Sequence, residues 1–184
     1  MRPNIARRAA LLALAICGVL LAGCALTAPF EGLEVGETGP ELDIAAWLNV
    51  PGGVLRLSDV RGRPVLLQFW SMDDPATLRH LDTLRTIHEQ YARDVRLVSV
   101  HVDLTKSGSP QDPGRVRAFL VREAITFPVG IDKRGFAYKT YQFTHLPHAV
   151  LLDEHGNVTW SGHLVTYDLE PAVKRMLEER RGRS

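Results

Sequence analysis

Thiols, imidazoles and carboxylates are the side chains that most readily do chemistry, and in this 184-residue chain the first kind is scarce: two cysteines, Cys17 and Cys24, accompany seven histidines and 21 acidic residues. No cysteine lies beyond residue 24. Asp73-Asp74-Pro75-Ala76-Thr77 places a carboxylate directly before a proline, the order favoured when an Asp caps a helix whose first turn holds Pro. A carboxylate engaged in that way serves the helix and is a poor general acid, and Asp73 beside it is expected to be solvated. His145 and His148 straddle Leu146-Pro147, and two imidazoles with an acid such as Asp74 nearby would suit zinc or copper. Against a metal stand the lack of any Cys or Met cluster and a spacing that matches no familiar ligand motif. The other histidines have blander readings: His80 and His88 as half-exposed helix residues, His101 as a hydrogen-bonded residue at the core edge, His155 in a turn, and His163 after a strand. Nothing calls for a cofactor.

The elements that must position these residues can be read from periodicity. Val65-Leu66-Leu67-Gln68-Phe69-Trp70, set off by Arg61-Gly62-Arg63-Pro64, is an almost wholly apolar run expected of a strand buried on both faces, and Val95–Asp103 is a second. Between them a helix opening at Asp74-Pro75 carries Leu78, Leu81, Leu84, Ile87 and Tyr91 at intervals of three or four, so one face turns to the core. Strand, helix, strand of these lengths predicts a right-handed βαβ unit. Asp112-Pro113 opens a second helix to about Ala124, with Val116, Phe119 and Leu120 inward. A short helix over Phe136–Tyr141 follows, then a hairpin of His148–Asp153 and Val158–Gly162 around Glu154-His155-Gly156-Asn157. A terminal helix opens at Asp168 and turns Leu169, Val173, Met176 and Leu177 inward. The order βαβα, then ββα, predicts an α/β fold with a central mixed sheet and helices on both faces. Trp47, Trp70 and Trp160 read as packing residues. Leu104–Gln111 lengthens the connection after the second strand, either as a specificity loop or as a surface excursion.

Composition bounds the function. With 45% hydrophobic and 23% charged residues the chain is globular, and a formal net charge of +1 leaves no strongly basic face for nucleic acid. Arg2, Arg7 and Arg8 lead into the uncharged run Ala9–Ala22, which is short for a bilayer span and flanked as a secretory signal is. The run ends in Leu21-Ala22-Gly23-Cys24, a tetrapeptide that resembles a bacterial lipobox, in which the cysteine is lipid-modified and becomes the new N-terminus. The expected organisation is a signal peptide over 1–23, a lipidated Cys24 and tether over 24–36, and one domain over 37–184. The tether reaches at most roughly 35–40 Å from the membrane. Loss of the leader's arginines turns the net charge slightly negative, which argues against a basic membrane-surface patch. It also removes Cys17, while the lipid occupies the Cys24 sulfur, so the extracytoplasmic domain would hold no thiol.

Several separate landmarks then bring a family into view: Gly36 through Pro40-Glu41-Leu42, the run from Leu57 to Trp70, Thr126-Phe127-Pro128-Val129, Leu146-Pro147, and Leu151-Leu152-Asp153-Glu154-His155-Gly156. In this order they resemble the membrane-anchored, thioredoxin-like thiol-disulfide oxidoreductases of the TlpA/ResA type, over about residues 35–180. The resemblance implies a thioredoxin-like fold in which the strand ending in Phe-Trp is followed by Cys-x-x-Cys at a helix N-terminus, where a thiolate is favoured. Counting on from Trp70, Asp74 stands at the nucleophilic position and Thr77 at the resolving one, and neither has a redox couple in the relevant range. The resemblance also implies a cis-proline at Leu146-Pro147. That peptide either keeps a backbone ledge for an extended partner or merely keeps the fold. The expected binding corner comprises Leu146, Pro147, Trp70 and Asp73. Three functions are expected in order: a redox-inactive, lipid-anchored module that binds another envelope protein; a thiol-disulfide oxidoreductase, as family membership implies; and a metal-binding or metal-delivery protein using His145 and His148.

Overall fold

In the computed structural model, residues 32–103, 112–133, 135–165 and 168–182 are described. The lipobox with Cys24 and the Leu104–Gln111 stretch lie outside them. Val65–Trp70 forms β2, with all six residues buried because both faces of the sheet are covered. The helix Pro75–Tyr91 (α1) follows, and Arg96–His101 (β3) runs parallel to β2 in the register Val65 to Arg96 through Trp70 to His101. Pro113–Arg122 is α2, Phe136–Tyr141 α3, and Leu169–Arg181 α4. His148–Leu152 (β5) and Val158–His163 (β6) make the expected antiparallel hairpin.

Two strands escape the sequence pattern: Ile44–Leu48 (β1) and Val129–Asp132 (β4). They complete a six-stranded sheet ordered β1-β4-β3-β2-β5-β6, with β2, β3 and β4 parallel and β1 antiparallel to β4. The fold is thioredoxin-like, as the landmarks implied. One face of the sheet packs Leu66, Trp70, Leu97 and Leu151 under α1, α2 and α4, and the other packs Leu67, Phe69, Val98 and Val150 under α3 and the N-terminal segment. Burying both faces removes enough apolar surface to offset the ordering of a chain this long.

Two expectations need correcting. Leu78, assigned to the inward face by its spacing, is 45% exposed, because the buried stripe of α1 runs through Thr77, Leu81, Leu84 and Ile87. The domain boundary also moves: residues expected to be tether pack as domain. Leu33 is buried in the second core, Gly36 N donates to Val158 O at 2.8 Å, and Val158 N to Glu37 O at 2.7 Å. Gly32, at φ +111°, lies so close to the hairpin that a Cβ there would sit 2.2 Å from Ser161 Oγ and 3.0 Å from His148 Nε2.

Candidate functional site

Strand pairing gathers the chemistry at one edge of the sheet. β2 ends at Trp70 where β3 ends at His101, and Phe69 pairs with His148, so the turn after β2 lies beside the peptide that enters β5. His148 in turn faces His163 at the end of β6. Leu146-Pro147 is cis, and Pro147 O accepts from Leu164 N at 2.9 Å.

Asp74 is the N-cap of α1, with extended backbone and Pro75 in the first turn. Its carboxylate accepts from Ala76 N at 3.3 Å, from Thr77 N at 2.9 Å and from the Thr77 hydroxyl at 2.8 Å. Thr77 is fully buried, and its Oγ1 accepts from Ser71 N at 3.4 Å. The two positions that the resemblance assigns to a dithiol are thus joined to each other, by a hydrogen bond between a carboxylate and a hydroxyl. Such a pair organises a helix start and can neither transfer electrons nor form a mixed disulfide.

The turn above this pair is held from beneath. Met72 N donates to His101 Nε2 at 3.1 Å. A ring nitrogen that accepts carries no proton, so His101 is neutral, and its pKa is lowered to about 4. Burial is the main cause; Asp73 and Asp103 pull the other way, and Arg115 adds to the lowering. The ring meets the edge of Trp70 with centroids 4.9 Å apart. Asp73 is not simply solvated as expected: it pairs with Arg115 at 2.8 Å, joining the turn to α2.

The expected binding corner is therefore reshaped. Trp70 is 1% exposed and packs against Phe119, so it belongs to the core and offers a partner no surface. The Leu146 side chain is nearly buried as well, in the opposite core. What Leu146 can present is backbone, and its carbonyl already accepts from His163 Nε2 at 3.2 Å. The accessible groups of the corner are Asp73, Arg115 and the half-buried Asp74, while the cis Leu146-Pro147 peptide beside them is itself buried and flanked by His163. Sequence reading missed His101, Arg115 and His163. No local signal marks them, since each reaches the corner through strand pairing or from another helix.

The metal candidates have different partners. His145 Nδ1 lies 2.8 Å from Thr144 Oγ1, and its ring is 5.7 Å from that of His163. His148 is fully buried, stacked on Phe143 at 5.1 Å with its Nε2 2.9 Å from Ser161 Oγ. Among the described residues no group of three or more His, Cys, Asp or Glu is placed to hold a metal ion.

Comparison with known proteins agrees with the geometry of the fold. Residues 35–161 match the model of the AhpC/TSA family. The chain is 26% identical over 149 residues to the thiol-disulfide oxidoreductase ResA of Bacillus cereus (strain ATCC 10987 / NRS 248), covering 79% of this chain and 80% of that one. It is 27% identical over 125 residues to the thioredoxin-like protein YneN of Bacillus subtilis (strain 168), covering 68% and 69%. Among solved structures, a thioredoxin-like protein in its oxidized form superposes with a TM-score of 0.68 at 20% identity, over 79% of this chain and 96% of that one.

Proposed function

This chain belongs to the AhpC/TSA family, and from that premise we propose that it is a lipid-anchored, extracytoplasmic thioredoxin-like protein that performs no thiol-disulfide exchange and binds another envelope protein at the corner formed by Asp73, Arg115, Asp74 and the cis Leu146–Pro147 peptide. The observation that carries the reading is the Asp74–Thr77 hydrogen bond of 2.8 Å in a chain with no cysteine beyond residue 24. A carboxylate and a hydroxyl have no counterpart to the dithiol–disulfide couple. The leader and lipobox pattern supports the envelope location.

Curated relatives are thiol-disulfide oxidoreductases, and their names favour a second reading, in which this chain also exchanges disulfides. The two readings separate in one assay. With the full-length chain in detergent micelles and a dithiol reductant, reduction of insulin should proceed at the rate of reductant alone, and the double variant D74C/T77C should accelerate it. Acceleration by the wild-type chain that persists in C24S would establish the second reading.

The binding half is tested by photo-crosslinking in membranes. One discrete adduct that disappears in D73R, which reverses the charge facing Arg115, supports the corner as the docking surface. Adducts indifferent to that change, or none, refute it. Leu146 is unsuitable for this test because its side chain belongs to the core.

A further inference from the structure

The opposite end of the sheet holds a second cluster. Arg63 lies just before β2, Arg96 opens β3 with its N–H donating to Pro64 O at 2.8 Å, and His88 is in the last turn of α1. Together with Val95, Leu97 and Pro128 these three side chains line a cavity of about 180 Å³. Arg63 Nη2 donates to the Ala92 carbonyl, which caps the end of α1 and accounts for one of its donors. Three further nitrogens have no such account. Arg63 Nε, Arg96 Nε and His88 Nδ1 are each shielded from solvent and lack a hydrogen-bond partner. Among the described residues neither guanidinium forms an ion pair.

Buried donors are nearly always satisfied, and an exception calls for a missing partner. The lining of this small cavity carries two guanidinium groups and an imidazole but no carboxylate, so neither guanidinium has a counter-charge there. A single multi-oxygen anion would meet both deficits. Guanidinium forks match the oxygens of phosphate closely, and hydrogen bonds to an ionised acceptor are the strong ones. His88 is held in place by its edge contact with Phe127, centroids 5.6 Å apart. We propose that this cavity binds a small oxyanion of the phosphate class, through Arg63, Arg96 and His88. The site is independent of the Asp74 corner and lies at the other end of the parallel strands.

The anion can be free phosphate or the phosphate of a lipid headgroup, and the test separates them. Full-length chain in an uncharged sugar detergent is titrated calorimetrically with inorganic phosphate at constant ionic strength, and separately with short-chain phosphatidylglycerol against short-chain phosphatidylcholine. Saturable one-site binding is expected, weakened at least tenfold in R96M and in R63M. R96K, which keeps the charge but not the fork, should fall between R96M and wild type. Phosphate should raise the Tm of the wild-type chain and not of R96M, a readout that a purely helix-capping Arg63 would not produce. Saturation by phosphate identifies a soluble ligand. Saturation by phosphatidylglycerol alone, lost in the same variants, identifies a headgroup. No saturable binding to either, or binding unchanged in R63M and R96M, overturns the site.

Discussion

Replacing Asp74 by Ala removes three acceptor contacts at once: those to Ala76 N, Thr77 N and the Thr77 hydroxyl. Loss of an N-cap carboxylate costs about 1 kcal/mol. The Thr77 hydroxyl is fully buried, and leaving it without its acceptor adds roughly 1–3 kcal/mol. The sum is about 3 kcal/mol, which for a domain of this size lowers Tm by roughly 6–12 °C. Asn caps as well as Asp does, so D74N should stay within about 0.5 kcal/mol of wild type. T77V removes the hydroxyl that D74A strands, so the double variant D74A/T77V should be more stable than the two single effects predict, with a coupling of about 1 kcal/mol. Urea unfolding of the wild type and the four variants D74A, D74N, T77V and D74A/T77V, followed by circular dichroism, measures every term. If D74A loses less than about 0.5 kcal/mol, or if the double variant is strictly additive, Asp74 is not the cap that the structure describes and the carboxylate must be sought a role in chemistry.

Three further outcomes are expected. His101 holds a folded-state pKa of about 4 against an ordinary 6.5; between these values the unfolded chain binds a proton that the folded one refuses, so stability is full above about pH 6.5 and falls as the pH drops toward 4, by an amount on the order of 3 kcal/mol. H101F should flatten that slope, and an imidazole NMR titration of His101 would contradict the expectation if its midpoint lay near 6.5. Breaking the exposed Asp73–Arg115 pair with R115A should cost less than about 1 kcal/mol and vanish at high salt, as denaturation at two salt concentrations would show. G32A forces a Cβ against Ser161 and His148 at a φ of +111°, and should destabilise the attached N-terminal segment by about 2 kcal/mol or more, seen as faster proteolysis near residue 32 while the sheet stays protected.

The strands and helices with strong periodicity were legible from residues alone. Val65–Trp70 could be read because both of its faces are covered, and the start of α1 because Asp-Pro is a local signal. β1 and β4 were not, for a physical reason: each is short, β1 is an edge strand of half-exposed residues that includes two alanines, and β4 contains Gly130. That glycine was the available clue. A Cβ there would sit 2.9 Å from Ile44 Cδ1 and 3.0 Å from Trp47 Cζ3, so it marks the close approach of the two strands. Leu78 misled because α1 buries a narrower stripe than its apolar residues suggest. At the site, the Asp74–Thr77 pair lies within one turn and could be counted from Trp70. Asp73–Arg115 spans 42 positions and Met72–His101 spans 29; contacts of that range exist only once the sheet has assembled, and no spacing rule encodes them.

The hydrogen bond between Asp74 and Thr77 gives the corner a single covalent state. A dithiol in the same place has two, and a partner can be gripped in one and discharged in the other, so that electrons set the direction of traffic. In the proposed binding role, occupancy would answer to concentration alone, and a bound partner would leave at its own dissociation rate whatever the ambient reduction potential. Residence time, not turnover, would then be the quantity on which selection could act.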